Sequence, residues 1–439
     1  MSRPRFSTLF AAAVLACGVL LAAAAVLLDV AGAPRAGRTV VTVRLWDPQV
    51  AAAYRESFAA LHARHPEIEV RTSVVAYATY FDTLRTDVAG GGADDIFWLS
   101  NAYLADYADN GRLLDVGAPA PDWEPSVVRL YTRAGTLWGV PQLTDGNTSL
   151  FYNAELLAAA GVSGADLAAL RWDPGGADTL RPLLARLTVD ADGRTAGTPG
   201  FDARRTRQWG YNAANDPQGI YLNYLGSAGG VYQRDDRFAF DNPAAVEAFS
   251  YVVALINDDR VAPPASETNT SDFARNQFLA GKMALFQSGT YNLAPIADRA
   301  GFSWGVAVLP AGPVGRVSVT NGIAAVGNAA SPHPDAVRTV LAWLGSREGN
   351  EYVGRQGAAV PAVRSAQRVY FDYWASRGVD VTPFFTALDG PGLPAPGFAG
   401  FPAGNQALKP YFDEMFLGRT DVATALRQAQ VAANAAAAR

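Results

Sequence analysis

Read for hydrophobic period, the chain separates into alternating strands and helices. Thr39 to Leu45 is β-branched and alternating, which predicts a strand. Trp46-Asp47-Pro48 closes it. Val50, Tyr54, Phe58 and Leu61 follow at helical spacing, with Asp47 suited to the N-cap and Pro48 to the first helical position. Pro66 stops that helix. Ile68 to Val75 reads as a second strand, Tyr80 to Val88 as a second helix, and Gly90-Gly91-Gly92 as its stop. Ile96 to Leu99 is a third strand, and a short amphipathic helix ended by Gly111 follows. This order predicts a largely parallel α/β unit.

The middle of the chain changes character. Helices dominate from Asn153, a cap residue, to Gly281. Short ones are predicted near Asp178 to Leu187 and Gln218 to Leu225. A stronger one runs from Pro243 to Ile256, with Asp241 as candidate cap and Val246, Phe249, Val253 and Ile256 on one face. Strands return at Met283 to Gln287, Ser303 to Leu309 and Val317 to Val326, the last interrupted by Asn321-Gly322. Pro334 to Leu344 reads as a helix, Gly357 to Pro361 and Pro391 to Pro402 as loops, and Gln406 to Ala437 as two helices.

Length and charge bound these elements. A chain of 439 residues is too long for one core, so two or more lobes are expected. A net charge of −5 argues against a nucleic-acid partner. The single cysteine, Cys17, lies in the N-terminal apolar segment, so no disulfide or thiol chemistry is expected in the folded part. His62, His65 and His333 have no zinc-like spacing, and His62 and His65 read as solvent-side residues of a helix end. No metal or cofactor is expected.

Arg3 and Arg5 precede an apolar run from Leu9 to Leu28, long enough to span roughly 30 Å. The arginines hold the N-terminus in the cytoplasm, so the chain after Asp29 is exported. Three readings stay open. A signal peptide could be cut near Ala31-Gly32-Ala33, although Pro34 disfavours cleavage. The run could remain as an anchor. Val14 to Gly18 also resembles a loose lipobox, with Cys17 as the lipidated residue. Each gives an extracytoplasmic protein, tethered to the membrane or secreted. Residues 30–38 read as a linker.

Several fragments now form a recognisable series. Trp46-Asp47 is followed by Phe58-Ala59-Ala60-Leu61 and by His65-Pro66-Glu67-Ile68-Glu69-Val70. Tyr80-Phe81-Asp82-Thr83-Leu84 and Ala89 to Phe97 come next. Gly139-Val140-Pro141 leads to Leu150-Phe151-Tyr152-Asn153. Phe278 to Leu285, Leu309-Pro310-Ala311-Gly312 and Asn321 to Ala325 complete the series. In this order they resemble the family 1 extracellular solute-binding proteins, the maltose-binding-protein-like sugar receptors of ABC importers. The resemblance covers nearly the whole chain after residue 39. It departs at Asn321-Gly322, where the family often has a glycine pair, and at Tyr291, where it often has tryptophan. It departs also at Thr144 to Thr148, which shows a one-residue shift, and at Ala93, where proline is usual.

The resemblance implies an α/β, two-lobed, periplasmic-binding-protein-like clamp that closes on its ligand by hinge bending. The chain would cross between lobes near residues 145–150, 315–322 and 355–361. Lobe 1 would hold residues 39–145 and about 320–357, and lobe 2 residues 147–316 and about 358–439. The protein would be a monomeric, non-enzymatic receptor that hands a sugar or oligosaccharide to ABC permease subunits.

Sugars are held by aromatic faces and planar polar groups. A strand whose carboxyl end carries hydrogen-bonding groups and opens into a helix is a natural ligand position. Candidate contacts are Trp46, Asp47, Ser100, Asn101, Asp145 at the first crossing, Tyr211, Asn212, Asn215, Tyr291, Asn321 and Gly322. Each has a structural alternative. Asp47, Ser100 and Asn101 can cap helices, Asp145 can sit in a solvated turn, and Tyr211 can be core. Trp98 and Phe97 point to opposite faces, so one is expected in the core. Asp94-Asp95 reads as a turn, because adjacent strand residues face opposite ways. Two other functions remain. A same-fold receptor could take another solute, such as a glycerophosphodiester, a compatible solute or a metal chelate, and a phosphate ligand would want arginines such as Arg204, Arg205 and Arg207 near Trp209. An exported glycoside hydrolase would need a spaced carboxylate pair, and no spacing picks one out.

Overall fold

The computed structural model describes residues 37–145, 148–268, 272–386 and 392–439. Cys17 and the rest of the N-terminal segment lie outside them, as do Gly146, Asn147 and the side chain of Asp145.

The elements that position the site follow the hydrophobic pattern closely at first. Strand β1 (Thr39–Leu45) leads to α1 (Pro48–Arg64), β2 (Ile68–Val74), α2 (Tyr77–Gly90), β3 (Ile96–Ser100) and α3 (Asn101–Ala108). Helix α4 (Pro125–Leu130) and strand β4 (Val140–Asp145) close the first pass. The second lobe contains β5 (Ser149–Asn153), α5 (Pro243–Asn257), β6 (Leu285–Ser288) and β7 (Trp304–Ala307). Strand β8 (Val319–Gly327) returns to the first lobe, with α6 (Pro334–Leu344), α7 (Arg347–Arg355) and β9 (Val360–Pro361). Strand β10 (Leu393–Pro394) and helices α8 (Phe401–Phe416) and α9 (Val422–Ala437) follow.

The first-lobe sheet runs β9-β4-β8-β3-β1-β2, and β10 pairs with β8. Only β1, β2, β3 and the β8–β10 pair are parallel; β8 is antiparallel to both β3 and β4. The sheet is therefore mixed, because a chain that leaves the lobe and returns can enter the sheet from the opposite end. The second lobe has a smaller antiparallel sheet, β6-β5-β7. Separate apolar clusters fill the lobes. Val43, Ile96, Leu99, Val140, Ala325 and Leu344 share one cluster. Leu150, Leu184, Phe249, Leu255 and Phe412 share a second, and Phe151, Phe286, Trp374 and Phe384 a third.

Several local expectations change. Strand β8 continues through Asn321-Gly322, with an irregularity at Ile323/Ala324 instead. Helix α2 starts at Tyr77, and Gly91 ends it in the left-handed conformation (φ 76°). Asn242, not Asp241, caps α5, its Oδ1 accepting from the Ala245 amide at 2.9 Å. The Gly357–Pro361 and Pro391–Pro402 stretches each contribute two strand residues, because neighbouring edges supply hydrogen-bond partners. Phe97 and Trp98 are both buried, since helices cover both faces of β3. Trp98 Nε1 donates to Tyr54 Oη of α1 at 3.2 Å, while Phe97 meets Tyr107 of α3 at 5.9 Å between ring centres.

The acidic pair before β3 is structural. Asp94 binds the buried Arg44 at 2.5 Å, and Arg44 also reaches Asp87 at 2.7 Å. Asp95 accepts from the Thr42 amide at 2.8 Å and from Ser331 Oγ at 2.5 Å.

Candidate functional site

Strand registers bring the candidate chemistry to one edge of each sheet. Leu45 aligns with Val74 and Val43 with Ile96, so the carboxyl ends of β1, β2 and β3 lie together. Strand β8 aligns Ile323 with Ser100 and Asn321 with Asp145, so the crossing after β4 and the one before β8 meet at that same edge. In the second lobe Ser288 pairs with Ser149, which places the end of β6 beside the first crossing. Residues 217–219 lie there too. Thr148 Oγ1 donates to the Gln218 carbonyl at 3.2 Å, and Gln287 Nε2 to the Gly219 carbonyl at 2.7 Å. Two lips result, one on each lobe, joined at the hinge.

The first lip is aromatic. Half-buried Trp46 packs edge-on against Tyr77 (5.6 Å), Tyr80 (4.9 Å) and Trp98 (5.0 Å). Such contacts contribute about 0.5–1.5 kcal/mol each beyond area burial. Tyr77 opens α2 just after β2 and is 62 % exposed, an unusual state for a large ring. The strand-end rule that singled out Trp46 and Ser100 applies equally to Tyr77, but the late start predicted for α2 hid it. Asp47 does cap α1: its Oδ1 accepts from the Gln49 amide at 2.8 Å and the Val50 amide at 3.1 Å. Burial raises its pKa, and those two amides oppose the rise.

The second lip is built from hydrogen bonds. Tyr211 is fully buried, its hydroxyl donating to Gln287 Oε1 at 2.5 Å. Asn212 makes a reciprocal pair with the Gln287 backbone, 2.9 Å to the carbonyl and 2.7 Å from the amide. Asn215 donates to Asp413 of α8 at 3.1 Å. These three residues spend their polar groups on the fold of the lip. Tyr291 differs, because it is 41 % exposed within an otherwise buried run. Half-buried Asp216 caps the turn Pro217–Tyr221 by accepting from the Gly219 amide at 2.9 Å. Burial raises its pKa too, and the Gly219 and Gln218 amides oppose it. Neither Asp47 nor Asp216 has an ion-pair partner among the described residues.

The remaining candidates tie the lobes together. Ser100 caps α3, accepting from the Ala102 amide at 3.4 Å. Asn101 is buried, and its Nδ2 donates across the junction to the Ala395 carbonyl at 2.8 Å. Asn321 Oδ1 accepts from the Gly322 amide at 2.8 Å, while its backbone pairs with Asp145. Gly322 is needed for packing: a Cβ there would meet Val127 Cγ1 at 3.0 Å and the Leu143 carbonyl at 3.1 Å. At the hinge Asn223 Oδ1 accepts from Ser318 Oγ at 3.2 Å and the Val319 amide at 3.1 Å, and Ser318 Oγ accepts from the Thr148 amide at 3.1 Å. The two crossings are thereby fastened to one another.

Chemically, this arrangement offers aromatic faces and carboxylate acceptors on two lips, one on each lobe. Among the described residues, no group of three or more His, Cys, Asp or Glu is placed to hold a metal. No helix of the described residues is long and apolar enough to cross a membrane.

Known proteins share this fold. UspC of M. tuberculosis is 74 % identical, with a TM-score of 0.76 over 91 % of this chain and 100 % of that one. An ABC substrate-binding protein from Listeria monocytogenes in complex with cycloalternan is 18 % identical. It gives a TM-score of 0.77 over 91 % of this chain and 98 % of that one, a likeness of fold. A Deinococcus radiodurans protein named "Probable ABC transporter-binding protein" is 25 % identical over 316 residues, covering 68 % of each chain. The model of the bacterial extracellular solute-binding proteins matches residues 47–351. With that match spanning most of a two-lobed clamp, the chain belongs to the bacterial extracellular solute-binding protein family.

Proposed function

We propose that this protein captures a sugar or oligosaccharide between its lobes and delivers it to the membrane permease of an ABC importer, without chemical turnover. The observation that carries this reading is the pair of exposed rings, Tyr77 and Tyr291, on opposite lips, each with an unpaired carboxylate on the same lip, Asp47 or Asp216. Rings cover the apolar faces of a pyranose, and carboxylates accept from its hydroxyls. The ligand of the Listeria relative, cycloalternan, fits this chemistry. A phosphodiester ligand has less support. Arg204 is paired with Asp202 at 3.1 Å and Arg205 with Asp192 at 3.2 Å, which leaves only Arg207 of the three without an ion pair among the described residues.

In this reading Trp46, Tyr77, Asp47, Tyr291 and Asp216 touch the ligand. Asp145, Ser100 and Asn321 stand at the hinge edge, and Asn101 and Gly322 shape the junction. Lobe 1 extends to about Ala366, whose side chain joins the first-lobe cluster. The protein acts as a monomer, held at the outer face of the membrane by its N-terminal segment. Thermal-shift screening of the purified protein against neutral mono- and oligosaccharides, polyols and glycerophosphodiesters tests the reading. Stabilisation by a neutral sugar is expected; stabilisation by a phosphodiester alone would overturn it.

A further inference from the structure

The Tyr291 ring owes its position to the residues just before it. Among Leu285 to Leu293 only Tyr291 is exposed. Its ring lies against the Gly289 backbone. A Cβ on Gly289 would stand 2.8 Å from ring carbon Cδ1 and nearer still to Cε1, a separation real Cβ atoms do not show. Yet Gly289 has φ −86° and ψ 175°, extended backbone that any residue adopts. The chain conformation therefore does not demand glycine here; the ring does.

A second restraint acts at the other end of the ring. Ser288 Oγ donates to Tyr291 Oη at 3.2 Å and accepts from Asn292 Nδ2 at 2.8 Å. Ser288 and Asn292 are both 4 % exposed. Asn292 Oδ1 is buried with no hydrogen-bond partner among the described residues, so the knot is held despite an unpaired acceptor. Buried oxygens left unpaired are costly, and they persist where another requirement fixes the geometry.

We propose that Gly289 and Ser288 are positioning residues that fix the Tyr291 ring as a preorganised stacking platform for a sugar on the second lobe. The inference rests on the sugar-receptor reading above. Holding a ring in its bound orientation removes the ordering cost that a freely rotating side chain would pay on binding.

Titration calorimetry of the full-length protein with maltotriose and with cycloalternan tests this, using Gly289→Ala, Ser288→Ala, Tyr291→Ala and the Gly289→Ala/Tyr291→Ala pair. Tyr291→Ala is expected to weaken binding about three- to tenfold, the range of one aromatic contact. Gly289→Ala alone should approach that loss, and Ser288→Ala should lose about two- to threefold. In the Tyr291→Ala background Gly289→Ala should lose nothing more, a coupling that a general structural defect would not produce. If the two losses multiply, the positioning role is overturned while the sugar reading stands. If the wild-type protein binds neither sugar, both fall. Should Gly289→Ala fail to fold, Tyr291→Phe keeps the ring and removes the Ser288 contact. It should match Ser288→Ala in affinity, and the combination should add nothing. Unaltered binding by Tyr291→Phe with weakened binding by Ser288→Ala would overturn the proposal.

Discussion

The two lips each carry an exposed tyrosine and a carboxylate without an ion pair, and they hold them by different means. On the first lobe Trp46, Tyr77, Tyr80 and Trp98 brace one another edge to face, so order comes from apolar packing. On the second, Gln287, Tyr211 and Asn212 form a buried hydrogen-bond network, and Tyr291 leans on a backbone. Packing of rings degrades gradually, because each contact is small and neighbours can shift. A buried polar network is less forgiving, since removing one member orphans the others. The second lip is therefore the more brittle of the two.

Substitution of Gln287 by Leu should give the largest effect. It leaves the Gly219 carbonyl without its side-chain donor and Tyr211 without its acceptor, costing about 2–4 kcal/mol. Urea denaturation would measure it, and a loss under 1 kcal/mol would contradict the brittleness argument. Trp46→Ala on the first lip should cost about 2 kcal/mol, because the side chain is only half-buried. If Trp46→Ala proves worse than Gln287→Leu, the contrast between the lips is reversed.

Asp216→Asn probes the lone carboxylate of the second lip. Burial raises its folded pKa, so the ionised form is disfavoured in the native state. The native protein then binds this proton more readily than the unfolded chain. Ionisation accordingly costs stability above the folded pKa, and the cost fades as pH falls through that value. Asparagine keeps an acceptor for the Gly219 amide and cannot ionise. The variant should be more stable than wild type at pH 7, and the difference should fade as the pH falls into the ordinary carboxylate range. A variant that is less stable at neutral pH would show that the carboxylate has a counter-charge. The smallest stability effect is expected for Tyr77→Ala, under about 0.5 kcal/mol, since most of the ring is already in water. Its sugar affinity should nonetheless fall about three- to tenfold. Unchanged affinity in calorimetry would remove Tyr77 from the site.

Much of the local structure could be read from the residue pattern alone. The Asp47-Pro48 helix start, the Asn153 cap and the strand before Trp46 are local events, fixed by capping chemistry and side-chain period within a few residues. That β6 ends in a glycine followed by a ring was legible as well, because such a strand end is a local signal. The second-lobe polar residues were not. Whether Tyr211 is core or surface depends on Gln287, which lies 76 residues away in sequence. Asn101 meets Ala395 from a separation of 294 residues. Asparagine and tyrosine carry the same groups whether they bind ligand or backbone, so residue type cannot choose between those roles.

By itself, then, the sequence determined the alternation of elements, the need for more than one lobe, and the helix caps that give those elements their ends. These depend on neighbours along the chain. Only the tertiary structure decided which rings stay in water and that Gly322 serves packing against Val127. Burial and steric clearance belong to groups brought together from distant parts of the chain, and no local pattern records them.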